Sequence, residues 1–227
     1  MSQNDILKTH NYFATPIWSI NKPEWVGAAN KACDKYIKAA RKELAPHLKS
    51  REKFYKSKVG DHGMSYHSYD ISRDPELKNI VDYVGQTSKT LLDQMGYDMS
   101  LYELFYNDFW VQEFADKGGG HHDTHVHWDN HISGFYFLKC SDKTSRPIYF
   151  DPRPGSVMTK LFLKKVSDIS YGTTLVHNNP KPGTLIFFPS YLPHQFTVDD
   201  GVEPFRFIHF NLQAIRKTIV NGIKDEL

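Results

Sequence analysis

This chain of 227 residues is short of several things. It has two cysteines, Cys33 and Cys140, far apart and in different kinds of segment. That is too few for a disulfide framework, and a reduced, cytoplasmic setting is the simple reading. No apolar run approaches the roughly 20 residues of a membrane span. The opening residues, MSQNDILKTHNYF, lack the basic start and apolar stretch of a signal peptide. Charge of one sign is also scarce. The formal net charge is +2, and no block of like charge is present to bind a phosphate backbone, so neither nucleic acid nor membrane is an expected partner. No internal repeat or low-complexity tract appears, which removes solenoids and disordered linkers.

What is present is a globular composition, 40% hydrophobic and 14% aromatic. The length suits one domain over 1–227. The first part, 1–99, reads as a helical support region. Pro23 suits the first turn of a helix whose apolar positions Val26, Ala29, Cys33, Ile37, Ala40 and Leu44 recur at three- and four-residue spacing. Asp74 followed by Pro75 is an N-cap with proline at the first helical position, and Gly96 is placed to end the helix that follows.

From about residue 100 the texture changes to strands: LYELFYNDFWVQEF, ISGFYFLK, RPIYFD, TLIFFP and PFRFIHFNLQ, separated by turn-rich segments. No helical pattern separates them, so a parallel sheet with crossover helices is not expected. The expected fold is mainly β with flanking helices. It is a double-stranded β-helix (jelly roll, cupin-like) over 100–213, with N-terminal support helices and a C-terminal helix over 214–227.

The most concentrated chemistry lies in GGGHHDTHVHWDNHISGFYFL, residues 118–138, with five histidines and two aspartates within eleven positions. In an extended strand, residues i and i+2 share a face. Two registers then offer a pair of metal ligands, His125 with His127 or His127 with Asp129. A third ligand must come from elsewhere, and His194, after the strand GTLIFFP and a proline-bounded turn, is the candidate. Arg206 follows twelve residues later. Two ligands from one strand and one from a later strand leave an open face on the metal, the arrangement of non-haem Fe(II) oxygenases. An arginine deeper in the barrel suits a dicarboxylate co-substrate.

The chain resembles the 2-oxoglutarate- and Fe(II)-dependent oxygenases. More narrowly, it resembles a group of uncharacterised oxygenases from marine bacteria and their phages. The residues that carry the resemblance are FATPIW, HVHWDNHISGFYF, DPR at 151–153, GTLIFFPSYLPH and RFIHFN. The resemblance implies a dioxygenase that takes Fe(II), 2-oxoglutarate and O2. Its substrate, peptidyl proline or a small metabolite, would be hydroxylated at an unactivated C–H bond. It also implies a cytoplasmic site of action, in the host cell if phage-encoded. One position departs from the family pattern: Ile208 stands two residues after Arg206, where many relatives have Ser or Thr for the co-substrate carboxylate.

The two registers pull apart. Chemistry favours His127, Asp129 and His194, which include a carboxylate, while the resemblance favours the His125–His127 pair. The adopted reading takes His127, Asp129 and His194 as metal ligands and Arg206 as co-substrate anchor, with His125 as alternative ligand. His121, His122, Asp123 and His131 are read as mouth or surface residues, and His177 and His209 as structural histidines. Trp110, Trp128 and Tyr136 border the pocket or fill the core. Arg153 is a candidate substrate contact on the rim, and Tyr171 and Thr173 lie in a long connection suited to a lid. Two other readings stand beside this one: a cupin-like three-histidine dioxygenase or isomerase without 2-oxoglutarate, and a non-catalytic jelly roll that binds a ligand.

Overall fold

The computed structural model describes residues 8–158 and 161–225. Its elements in chain order are β1 (Trp18–Asn21), α1 (Val26–Tyr55), β2 (Ser65–His67), α2 (Lys78–Gln94), β3 (Tyr102–Phe114), β4 (His122–His125), β5 (Ile132–Lys139), β6 (Pro147–Phe150), α3 (Gly155–Met158), β7 (Leu175–His177), β8 (Thr184–Pro189), β9 (His194–Phe196), β10 (Arg206–Arg216) and α4 (Lys217–Asp225). The strands form two antiparallel sheets, a large one in the order β1-β8-β5-β10-β3-β2 and a small one in the order β4-β9-β6-β7. This is the two-sheet jelly roll expected from the strand-rich half.

The helices form where the periodicity placed them. In α1, Ala29, Ala32, Cys33, Ile37 and Ala40 make the buried stripe. The helix runs on past Leu44 to Tyr55 and accommodates Pro46, because this outer stretch is mostly exposed and rich in helix-forming residues. The Asp74 carboxylate accepts from the Glu76 backbone N–H at 2.9 Å and caps the turn that opens α2. It also accepts from the Tyr36 hydroxyl at 2.7 Å and pairs with Lys35 at 2.7 Å, which ties the two helices together.

Two boundaries differ from the sequence-based expectation. Residues 214–216 are not helical. They continue β10, paired with β3 as far as Arg216 opposite Tyr102, and α4 begins only at Lys217. The first 99 residues are not purely helical either, since β1 and β2 supply both edges of the large sheet. These strands of three or four residues are too short for a period-two pattern to stand out. The outermost residues of the expected N-terminal region and C-terminal helix, 1–7 and 226–227, lie outside the described residues.

The large sheet has an apolar layer on each side. One face packs on the helices, with Ile208, Phe210 and Leu212 of β10 among Val84, Leu91, Cys33 and Ile37. The other face meets the small sheet, with Phe114, Phe135, Phe137, Phe188, Phe196, Phe205 and Phe207 between the sheets. Alternation along β10 therefore sends even-numbered residues to the helices and Phe207, His209 and Asn211 between the sheets. Gly134 of β5 is required by close approach, because a Cβ there would run into the Ile186 carbonyl and the Phe210 ring.

Candidate metal centre

β4 and β9 are hydrogen-bonded neighbours in the small sheet, with His125 directly opposite His194. His127 follows two residues after the end of β4, and its backbone N–H donates to the Ser190 carbonyl at 3.0 Å. The three rings converge, with centroids 4.5 Å apart for His125 and His194 and 5.0 Å for each with His127. One ligand nitrogen from each lies within 4.8 Å of the others.

The hydrogen bonds of these rings fix their state. His125 Nδ1 donates to the Asp123 carbonyl at 2.7 Å and His194 Nδ1 to the Leu192 carbonyl at 2.9 Å. This leaves each Nε2 with its lone pair free. The Nε2 atoms of His127 and His194 are buried and have no hydrogen-bond partner among the described residues. Burial lowers the pKa of His194 to about 3, aided by the neighbouring histidines, and that of His127 to about 4. Both rings are neutral at pH 7, the form that binds a metal. Buried, neutral, orphaned nitrogens facing one another fit a divalent cation and little else.

A hydrogen-bond network supports His127 from behind. The Ser133 hydroxyl donates to Asn211 Oδ1 at 2.6 Å and lies 2.8 Å from the Ser190 hydroxyl. The Asn211 amide nitrogen donates to Asp108 at 2.8 Å and sits 3.3 Å from His127 Nδ1. These residues come from β3, β5 and β10 and from the turn after β8, so one small network ties four parts of the fold to the orientation of one ring.

Of the expected ligands, His127 and His194 come together, and the third member of the cluster is His125. Asp129 is elsewhere. It is exposed, in a turn with Trp128, and its backbone φ is +60°, in the left-handed region. The strand has ended at His125, so the i, i+2 rule no longer applies at Asp129. Aspartate tolerates positive φ better than most residues, which suits it to a turn.

Arg206 is also placed differently from expectation. Its Nε donates to Glu113 at 2.7 Å and a terminal nitrogen to Asp34 at 2.7 Å, on the helix side of the sheet. Burial alone would raise the Glu113 pKa, but the Arg41 and Arg206 guanidinium groups more than reverse this and hold it below the usual carboxylate range. The expectation rested on the His194–Arg206 spacing and on the family resemblance, and neither reveals which face of β10 an even-numbered residue takes.

His122, read as a mouth or surface residue, and His209, read as a structural histidine, both lie inside against the cluster. His122 faces inward, against Gln112, Phe114 and Phe196, because the register shifts between His122 and His125. His209 lies 4.7 Å ring to ring from His127 and 4.5 Å from Trp110. A polar residue inside an otherwise apolar strand was the available signal for His209, as it was for Ser133 and Asn211. His131 accepts from the Ala214 backbone N–H at 3.0 Å, His121 and His177 are exposed, and Tyr136 donates to the Lys22 carbonyl on the helix side. Arg153 is pinned by the Asp151 carboxylate at 2.7 Å, beside an exposed segment that includes Tyr171. Both cysteines are free, and burial pushes their thiols up to about 12.

Residues 108–211 match the model of a family described as "Putative 2OG-Fe(II) oxygenase". Among curated proteins, none matches the chain. Similar solved structures include AviO1 from Streptomyces viridochromogenes Tue57, with 10% identity and a TM-score of 0.54 over 88% of this chain and 90% of that one. The nickel complex of the non-heme monooxygenase ThoJ has 11% identity and a TM-score of 0.55, over 89% of this chain and 76% of that one. A Trichoplax adhaerens prolyl hydroxylase, in complex with a peptide fragment of the hypoxia inducible factor oxygen degradation domain, has 10% identity and a TM-score of 0.50. That match covers 86% of this chain and 82% of the other. At such identities these likenesses concern the fold. The matched stretch runs from Asp108 to Asn211, the two ends of the network beneath His127, and takes in every histidine of the cluster. Over that stretch, a little under half of its length, the chain is accordingly similar to the 2-oxoglutarate- and Fe(II)-dependent oxygenases.

Proposed function

We propose that His125, His127 and His194 hold Fe(II), and that the enzyme hydroxylates a C–H bond of a peptide or small-molecule substrate. The convergence of three ligand nitrogens within 4.8 Å of one another carries this reading. Iron bound there supplies the oxidation: with O2, it couples conversion of 2-oxoglutarate to succinate and CO2 to conversion of a substrate C–H into C–OH. The protein's own residues do the rest. The Asp123 and Leu192 carbonyls set the tautomers of His125 and His194, and the Asn211 network holds the His127 ring. The phenylalanine packing between the sheets excludes water from one side of the cluster. A site of three neutral imidazoles leaves the full charge of the cation uncompensated by protein, and this favours anionic co-substrates such as a 2-oxoacid.

Metal analysis of single variants tests the ligand set. His125→Ala, His127→Ala and His194→Ala should each bind iron about a hundredfold more weakly or worse, since outer partners of a metal site alone cost 10- to 100-fold. Asp129→Ala should retain it. Full iron retention in His125→Ala together with loss in Asp129→Ala would reverse the assignment. For the reaction, anaerobic Fe(II) plus 2-oxoglutarate should give a weak visible charge-transfer band. Its absence from iron-loaded protein would return the site to a three-histidine centre without 2-oxoglutarate. Peptidyl proline and small metabolites remain the substrate classes to screen, by stimulated release of succinate.

A further inference from the structure

Arg206 cannot grip a co-substrate while it holds its present partners. Its side chain is 4% exposed, bridges Glu113 and Asp34, and reaches Asn30 Oδ1 at 3.2 Å, all on the helix side of the large sheet. Its strand neighbour Phe207 takes the inner face and stacks on Phe196 at 4.8 Å. A carboxylate brought to the metal therefore meets other groups.

The inner face has such groups at one place. His209 and Trp110 are direct cross-strand partners on β10 and β3. His209 is 3% exposed, and neither of its ring nitrogens has a hydrogen-bond partner among the described residues. The indole N–H of Trp110 is likewise buried and unpartnered. The His209 ring lies against His127 on one side and against Phe135, at 5.2 Å, on another. Buried donors without partners are rare in folded proteins because water's hydrogen bonds have been given up for nothing. Two such donors side by side, next to a metal ligand, match the two oxygens of one carboxylate.

We infer that His209 and Trp110 together receive the carboxylate of 2-oxoglutarate that does not bind the metal, in place of an arginine. An indole N–H and a neutral imidazole N–H offer hydrogen bonds without a second buried charge. The inference rests on the 2-oxoglutarate reading above.

The test is anaerobic titration of the Fe(II)-loaded full chain with 2-oxoglutarate, followed by the visible band and by calorimetry, with 2-oxobutyrate as a control that lacks the distal carboxylate. In His209→Phe, affinity for 2-oxoglutarate should fall about tenfold or more, as expected for loss of a hydrogen bond to a charged group. Its preference for 2-oxoglutarate over 2-oxobutyrate should shrink by the same factor, with iron content unchanged. Trp110→Phe should do the same to a smaller degree. Arg206→Lys should bind 2-oxoglutarate as the parent does but melt at lower temperature. If His209→Phe does not fold, His209→Leu and Trp110→Phe provide the same readout. Unchanged affinity and preference in the His209 and Trp110 variants would overturn the inference, as would loss of both in Arg206→Lys. An iron-loaded parent that binds no 2-oxoglutarate would instead overturn the reading beneath it.

Discussion

The two faces of β10 treat buried polarity in opposite ways. On the helix side, Arg206 is matched by Glu113 and Asp34, and Glu113 in turn by Arg41 at 2.9 Å and Lys139 at 3.5 Å. Every charge there has a partner. Between the sheets, Trp110 Nε1, Gln112 Oε1, His127 Nε2, Tyr149 OH, His194 Nε2 and both nitrogens of His209 are buried and have no hydrogen-bond partner among the described residues. Paired polarity of the first kind fixes the docking of a helix on a sheet. Unpaired polarity of the second kind is a cost to the bare fold that a ligand can relieve, and it marks where cofactors belong.

Breaking the paired side should have the largest effect on stability and little on the metal. Glu113→Ala leaves Arg206 and Arg41 without their shared partner and should lower unfolding free energy by roughly 3 kcal/mol. Urea denaturation read beside metal content checks this, and loss of iron at unchanged stability would erase the distinction between the faces. Next in size is the support of His127. Asn211→Ala should weaken iron binding about tenfold or more, through the ring it orients, while the circular dichroism spectrum stays that of the parent.

The unpaired side should also show itself in acid. The pKa values of His122, His127 and His194 are about 3, 4 and 3 in the folded protein, against an ordinary 6.5. The unfolded chain therefore binds protons that the folded one refuses. Stability of the metal-free protein is complete above pH 6.5 and declines as the pH falls towards these lower values. A metal-free urea midpoint that is flat between pH 7.5 and 5 would contradict the burial of these rings. The smallest effect is expected outside both faces. Asp129→Gly relieves a non-glycine residue of φ +60° in an exposed turn, so it should leave iron binding alone and change stability by under about 1 kcal/mol.

The legible part of this chain was its periodicity. α1, α2, β3, β5, β8 and most of β10 stand where apolar spacing, the Asp74–Pro75 cap and turn residues put them. The jelly roll followed from the absence of helices between strands. The histidine cluster was legible as a cluster, but its membership turned on local backbone. Whether Asp129 joins His127 depends on where extension stops, and a single positive φ decides it. Arg206 failed by parity: one position along a strand exchanges the metal side for the helix side. Ser133, Ser190 and Asn211 were each visible inside separate motifs, yet nothing in one sequence shows that they meet. Their meeting depends on the pairing of β5 with both β8 and β10.

That β1 and β2 form the rims of the large sheet has a practical consequence for anyone cutting this chain down. The stretch 108–211, which contains the three-histidine cluster, is not a portable module. Excised, it would lose β1 from the side of β8 and β2 from the side of β3, exposing two rows of unsatisfied backbone groups. It would also lose α1 and α2, and with them the cover over Ile208, Phe210 and Phe187. A fragment with sticky rims and a bare greasy face would be expected to aggregate. A usable truncation has to start before Trp18, so the amino-terminal half is the casing without which the half that carries the histidine cluster cannot be handled in water.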